Sequence, residues 1–152
     1  MCAREAWMFA TLCCSIFAGC ASAPDAGSGD TGSGGASNTC TAADADDGTS
    51  AAARLGPGSL DCRYDNSKDR TWASAVSYCA ALGSGWRLAS KGEALKIAGS
   101  PSVCRTLLPS SWYAWARSCA GEGKAWVVFS NGHKYESSVD DSGKDDGALC
   151  IR

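Results

Sequence analysis

The sequence predicts a small α+β domain in which two short helices and an antiparallel sheet are stapled by disulfides. Three observations predict it: helix start and stop residues between 69 and 101, strand signals around an Asn-Gly turn after 125, and six cysteines spread through the region beyond residue 39. Residues 60–64 (LDCRY) alternate in polarity and read as a short strand. Asp69 offers a helix cap, Trp72, Val76 and Cys79 recur at helical spacing towards Leu82, and Gly83 supplies a stop. That spacing turns Cys79 inward. Ser90-Lys91-Gly92-Glu93 matches a capping box, in which the hydroxyl and the carboxylate satisfy each other's exposed backbone amides, so a second helix covers 91–98 and ends at Gly99 and Pro101. Residues 125–129 and 133–136 flank Asn131-Gly132, a tight-hairpin signal, and 148–151 forms a last strand.

The N-terminus places this domain outside the cytoplasm. After Arg4 comes an uncharged stretch, 6–19, too short for a membrane-spanning helix of roughly 20 residues but suited to the apolar segment of a signal peptide. Phe17-Ala18-Gly19-Cys20 resembles a bacterial lipobox, which implies a signal peptide over 1–19 and lipid attachment at Cys20. The alternative is an ordinary signal peptide cut near Ala21 or Ala23. Residues 21–53 contain no Val, Ile, Leu, Met or aromatic residue. Such a segment has nothing to bury, so 20–53 reads as a disordered tether that holds a domain (54–152) on the order of 30 Å from its anchor. Ala21 stands where an aspartate retains many lipoproteins at the inner membrane, so the expected location is the outer membrane of a bacterial envelope.

Charge divides at the same boundary. Residues 21–53 hold five acids and no base, whereas 54–152 hold thirteen Lys and Arg against ten Asp and Glu. A small basic excess excludes a nucleic-acid protein and is compatible with anionic envelope polymers. The run 44–48 (DADDG) lacks the spacing of an EF-hand loop and reads as solvated spacer. The acidic run 140–147 reads as an exposed charged loop, with no metal or cofactor expected.

Setting aside Cys2, Cys13, Cys14 and Cys20 leaves Cys40, Cys62, Cys79, Cys104, Cys119 and Cys150, an even set that reads as three disulfides with fifteen possible pairings. No C-x-x-C pair occurs and the one histidine is His133 just past a turn, so zinc, redox and nucleophile-base chemistry are not expected. The chain reads as no enzyme.

The ordered pieces Trp72-Ala73-Ser74-Ala75 with Cys79, Gly85-Trp86-Arg87-Leu88, Glu93-Ala94-Leu95, Trp115, Ala125-Trp126-Val127-Val128-Phe129-Ser130-Asn131-Gly132 and Cys150-Ile151-Arg152 together resemble the C-terminal domain of collagen-like bacterial adhesins (the Lcl C-terminal domain). The resemblance covers 60–152 and implies a C-type-lectin-like fold with a disulfide from the first helix to the last strand, Cys79 with Cys150. With that pair taken, Cys104 and Cys119 are local partners across the loop after the second helix, which leaves Cys40 with Cys62.

Trp86, Leu88, Trp126, Val128 and Phe129 read as core. Function is expected in the segment 109–124, read as a loop, where Trp112, Tyr113, Trp115, Arg117 and Lys124 crowd among polar residues. Aromatic faces beside cations stack on sugar rings or hold anionic groups. The expected partners are the membrane through the lipid, and either a carbohydrate or anionic polymer, or an envelope protein.

Overall fold

The computed structural model describes Cys40 and residues 49–67, 70–141 and 146–152. The signal peptide, Cys20, the acidic run 44–48, Asp69 and residues 142–145 lie outside these. The described residues fall within one compact unit, Ser33–Arg152.

The elements run α1 (Thr49–Ala52), β1 (Cys62–Asp65), α2 (Trp72–Ala81), β2 (Arg87–Leu88), α3 (Lys91–Gly99), a 3-10 turn (Pro101–Val103), β3 (Tyr113–Gly121), β4 (Lys124–Phe129), β5 (Lys134–Ser138) and β6 (Gly147–Ile151). The sheet order is β1-β6-β3-β4-β5, with β2 also paired to β6. The architecture is α+β, as expected, but the sheet is mixed: β3 and β6 run parallel, with Ala114 opposite Gly147 and Trp115 opposite Ala148, while the other pairs are antiparallel.

The last strand is an interior strand of the sheet. One edge of β6 pairs with β1, and the other pairs first with β3 and then, past Ala148, with β2. The amide of Ala89 extends this second ladder by donating to Leu149 O at 2.9 Å. All five residues of β6 are buried, because the two helices cover opposite faces of the sheet. On one face α2 packs Trp72, Ala75 and Cys79 against Leu88, Trp115, Val127, Ala148 and Cys150. On the other, α3 packs Ala94 and Ile97 against Ala114, Ala116, Val128, Leu149 and Ile151. A strand covered on both faces reads as a continuous apolar run, and Ala148-Leu149-Cys150-Ile151 is one. Gly147 opens it where no side chain fits: a Cβ there would lie 2.8 Å from the Tyr64 ring, and closer still to the Asp65 carbonyl oxygen.

Three expectations are corrected. The segment 109–124 is no loop, since β3 spans most of it. Its residues alternate large and small (Tyr113, Ala114, Trp115, Ala116, Arg117, Ser118), and the small residues let α3 approach the sheet while Trp115 fills the space under α2. The folded body also begins before residue 54. Cys40 is buried among the residues under α2, and α1 packs on α3. A four-residue helix has too few hydrogen bonds to form alone, so only this packing reveals it. The cap of α2 is Thr71, whose hydroxyl accepts from the Ser74 amide at 3.2 Å.

The disulfides are Cys79–Cys150, Cys62–Cys104 and Cys40–Cys119. The first joins α2 to β6 as expected. The other two exchange partners relative to expectation, because β3 carries Cys119 away from Cys104 while the bridge between Leu60 and Cys104 brings β1 beside the 3-10 turn. Cys62 and Cys104 belong to the core under α3, whereas Cys40 packs under α2 with Cys119 against it.

Non-reducing digestion should recover these three cross-linked peptides and none joining Cys104 to Cys119. Replacing Cys79 and Cys150 together by Ala should lower unfolding free energy in urea by roughly 4 kcal/mol, the loop-closure value for a separation of about 70 residues.

Candidate functional site

The aromatic residues divide by whether a helix covers them. Trp112 and Trp115 are buried at 3% and 0% exposure, and Trp115 Nε1 donates to Arg70 O at 2.7 Å. Trp72 is buried as well and its Nε1 donates to Ala116 O at 3.0 Å. All three indoles are core residues, and those of Trp72 and Trp115 have their N–H groups satisfied. Trp112 and Trp115 therefore offer no faces to a ligand, which corrects the expectation for 109–124.

Tyr113 behaves differently. It opens β3 directly opposite Phe129, the last residue of β4, and the ring centroids are 5.6 Å apart. Phe129 in turn lies 5.7 Å from Tyr135 on β5, whose backbone pairs with Val127. Rings on adjacent strands of one sheet face meet this way, directly opposite or on the diagonal. The result is a row of three tilted rings across three strands, half-exposed at Tyr113 and Phe129 and 38% exposed at Tyr135. Phe129, expected in the core, is its middle member. The hairpin turn holds the row in place: Gly132 adopts φ 82°, and its amide donates to Phe129 O at 2.9 Å.

A carboxylate sits beside the row. Tyr135 Oη donates to Asp146 Oδ1 at 3.1 Å, and Asp146 is buried. Burial, and next the Asp146 charge, push the Tyr135 phenol well above its ordinary range, so it remains a neutral donor. Asp141 accepts from Ser137 Oγ at 3.2 Å on the same strand. On the row's other side, Tyr64 Oη donates to Tyr113 O at 3.1 Å.

The expected cations are elsewhere. Lys124 starts β4, five residues or roughly 17 Å of strand from Phe129, with its Nζ 3.9 Å from Glu136. Arg117 is exposed on β3, where its amide donates to Ala89 O at 2.8 Å. The structure thus brings Tyr113 together with Phe129 and Tyr135, and separates it from Trp112, Trp115, Arg117 and Lys124. Phe129 and Tyr135 were legible as neighbours of Tyr113 only once 113–121 was known to pair with 124–129.

Other polar clusters are structural. Arg87 clamps Glu93 with two bonds of 2.7 Å, and Glu93 Oε2 also accepts from the Ser90 amide at 2.9 Å and its hydroxyl at 2.8 Å. The capping box is therefore present as expected. Ser118 Oγ accepts from the Lys91 amide at 3.0 Å and fixes the start of α3 on β3. Asp61 binds Arg105 at 3.2 Å and Arg152 at 2.9 Å, and hydrogen bonds from Arg152 and then Arg105 hold its carboxyl below the usual range. Lys91 Nζ lies 4.6 Å over the Trp126 ring. Among the described residues no three His, Cys, Asp or Glu side chains come close enough to hold a metal ion, and no helix is long and apolar enough to cross a membrane.

Comparison with known protein families, with curated proteins and with solved structures finds no match.

Burial opposes the Glu93 charge, but hydrogen bonds from Arg87 and Ser90 outweigh it and leave the carboxyl below its ordinary value of 4.5. A depressed folded-state value means stability that is complete above pH 4.5 and is lost as pH falls below it. Urea titrations from pH 7 down to about pH 3 should show this loss, and Glu93→Gln should flatten the acid slope while costing on the order of 2 kcal/mol at pH 7.

Proposed function

We propose that the chain is a bacterial envelope lipoprotein, anchored through Cys20, that presents a non-catalytic lectin-like binding module. The row Tyr113, Phe129 and Tyr135 is the observation that carries the binding assignment. Three part-exposed rings in line on one sheet face give a platform on which the apolar faces of sugar rings stack, while the nearby carboxylates and hydroxyls accept and donate to ring substituents. A carbohydrate suits this platform better than an anionic polymer, because Arg117 and Lys124 are not beside it. The order of motifs from Trp72 to Arg152 supports kinship with the Lcl C-terminal domain and its C-type-lectin-like fold. The small residues before Cys20, the gap of twenty residues from there to the first described cysteine, Cys40, and the three disulfides support export and tethering, with Ala21 favouring the outer membrane.

One observation favours a second reading, in which the domain docks an envelope protein: Leu107 is 99% exposed, beside the half-buried Leu108. Leu107→Ser would then abolish co-purification of a stoichiometric partner while leaving glycan binding unaltered.

The full-length protein with its disulfides intact should bind a subset of a glycan array equally with and without a chelator. Phe129→Leu with Tyr135→Leu should abolish that signal without changing the thermal midpoint by more than a few degrees. An unaltered array pattern in the double variant would remove the row from the binding site. Metabolic labelling with palmitate should mark the wild type and not Cys20→Ser.

A further inference from the structure

We infer that the chain self-associates through the edge of β5, two copies pairing antiparallel about Tyr135 so that their sheets become one. β5 ends the sheet order, so no strand pairs with its outer edge among the described residues. The ladder on its inner side fixes which backbone groups that edge presents. Phe129 N donates to His133 O at 2.8 Å and Val139 N to Gly123 O at 3.0 Å, one bonded pair beyond each end of the β4–β5 register. Bonded and unbonded pairs alternate in an antiparallel ladder. Tyr135 and Ser137 therefore turn their amides and carbonyls towards β4, and Lys134 and Glu136 turn theirs outward.

Such an edge accepts another strand, and charge selects a second copy in one register. With a two-fold axis at Tyr135, Lys134 of each copy lies opposite Glu136 of the other. An axis at Lys134 or at Glu136 sets like charges against each other, and one at Ser137 sets Glu136 against Ser138 and carries Lys134 past the end of the strand. A lysine on an edge strand ordinarily repels a second chain, and Glu136 reverses that for a copy related by the two-fold axis. Glu136 keeps its contact with Lys124, 3.9 Å away on β4, and its side chain is 44% exposed, which leaves room for a second cation. The outward amides and carbonyls of Lys134 and Glu136 then bond across the axis. On the other face the Tyr135 rings, 38% exposed in a single copy, meet as a close unbonded pair. The rows of Tyr113, Phe129 and Tyr135 of two copies thus run together across the axis, whatever they bind. A contact one strand wide lies at the small end of protein interfaces, so the dimer is a weak one.

Sedimentation equilibrium of the full-length, disulfide-intact protein up to about 1 mM should show a reversible monomer–dimer equilibrium. Lys134→Glu and Glu136→Lys should each raise the dissociation constant about tenfold, because opposite-charge pairs across the axis become like-charge pairs. An equimolar mixture of the two variants should associate as tightly as the wild type, since every pair across the axis is again opposite in sign. Both side chains are exposed, so the fold should tolerate either change. A sample of mixed isotope labelling should show an intermolecular contact between Tyr135 α protons, which reports the register. A monomer at the highest concentration would overturn the proposal, as would a dimer whose affinity neither variant alters or whose mixture associates no better than its components. A dimer lost in Leu107→Ser would place the contact on that leucine and not on β5. None of these outcomes depends on glycan binding.

Discussion

The fold depends on the burial of β6. Four residues before the chain ends are apolar, and the strand that contains them has hydrogen-bonded neighbours on both edges and a helix on both faces. No other strand is hydrogen-bonded to as many strands, since β6 pairs with β1, β2 and β3. β1 has no other partner in the sheet, β2 is two residues long and exists as a strand only through β6, and the β3–β4–β5 meander joins the rest of the sheet through the short parallel ladder at Ala114 and Trp115. Cys150 then ties this strand covalently to α2. A domain near one hundred residues has little apolar area to spare, and a strand buried on both faces uses each of its side chains for packing.

Much of this was legible in the sequence and some was not, for identifiable reasons. The capping box at Ser90 and Glu93, the Asn131-Gly132 turn, the terminal apolar run and the inward-facing Cys79 each rest on short-range geometry, and each stands in the structure. β3 was hidden because its alternation is one of size rather than polarity. Ala114, Ala116 and Ser118 face the side where α3 must come close, while tryptophan and arginine among serines suggested a surface loop. The exchange of disulfide partners follows from the same error, since Cys119 on a strand reaches Cys40 and not Cys104. α1 and the parallel ladder depend on contacts distant in sequence, which local periodicity does not encode.

Of the rings expected to face a ligand, Tyr113 is part-exposed, whereas Trp112 and Trp115 are buried. Tyr113 and Trp115 share one face of β3, and the cover of α2 separates them: Trp115 is buried under that helix, and Tyr113, beyond its reach, joins Phe129 and Tyr135. The bonds that secure the row, from Gly132 to Phe129 and from Tyr135 to Asp146, come from the hairpin turn and from the residue that enters β6. A rigid row built on strand ends is better suited to stacking than the same rings on a loop, because less freedom is lost on binding. The covalent link of Cys40 to Cys119 sits towards the far end of β3, six residues from Tyr113 or roughly 20 Å of strand.

The claim that β6 holds the structure together is tested most directly by native-state hydrogen exchange of the oxidised protein, followed by NMR. The amides of Leu149, Cys150 and Ile151 should exchange only through global unfolding, with free energies equal to that from urea denaturation, while the β4–β5 hairpin opens at lower cost. Exchange of those three amides at a free energy below that of the hairpin would contradict the account.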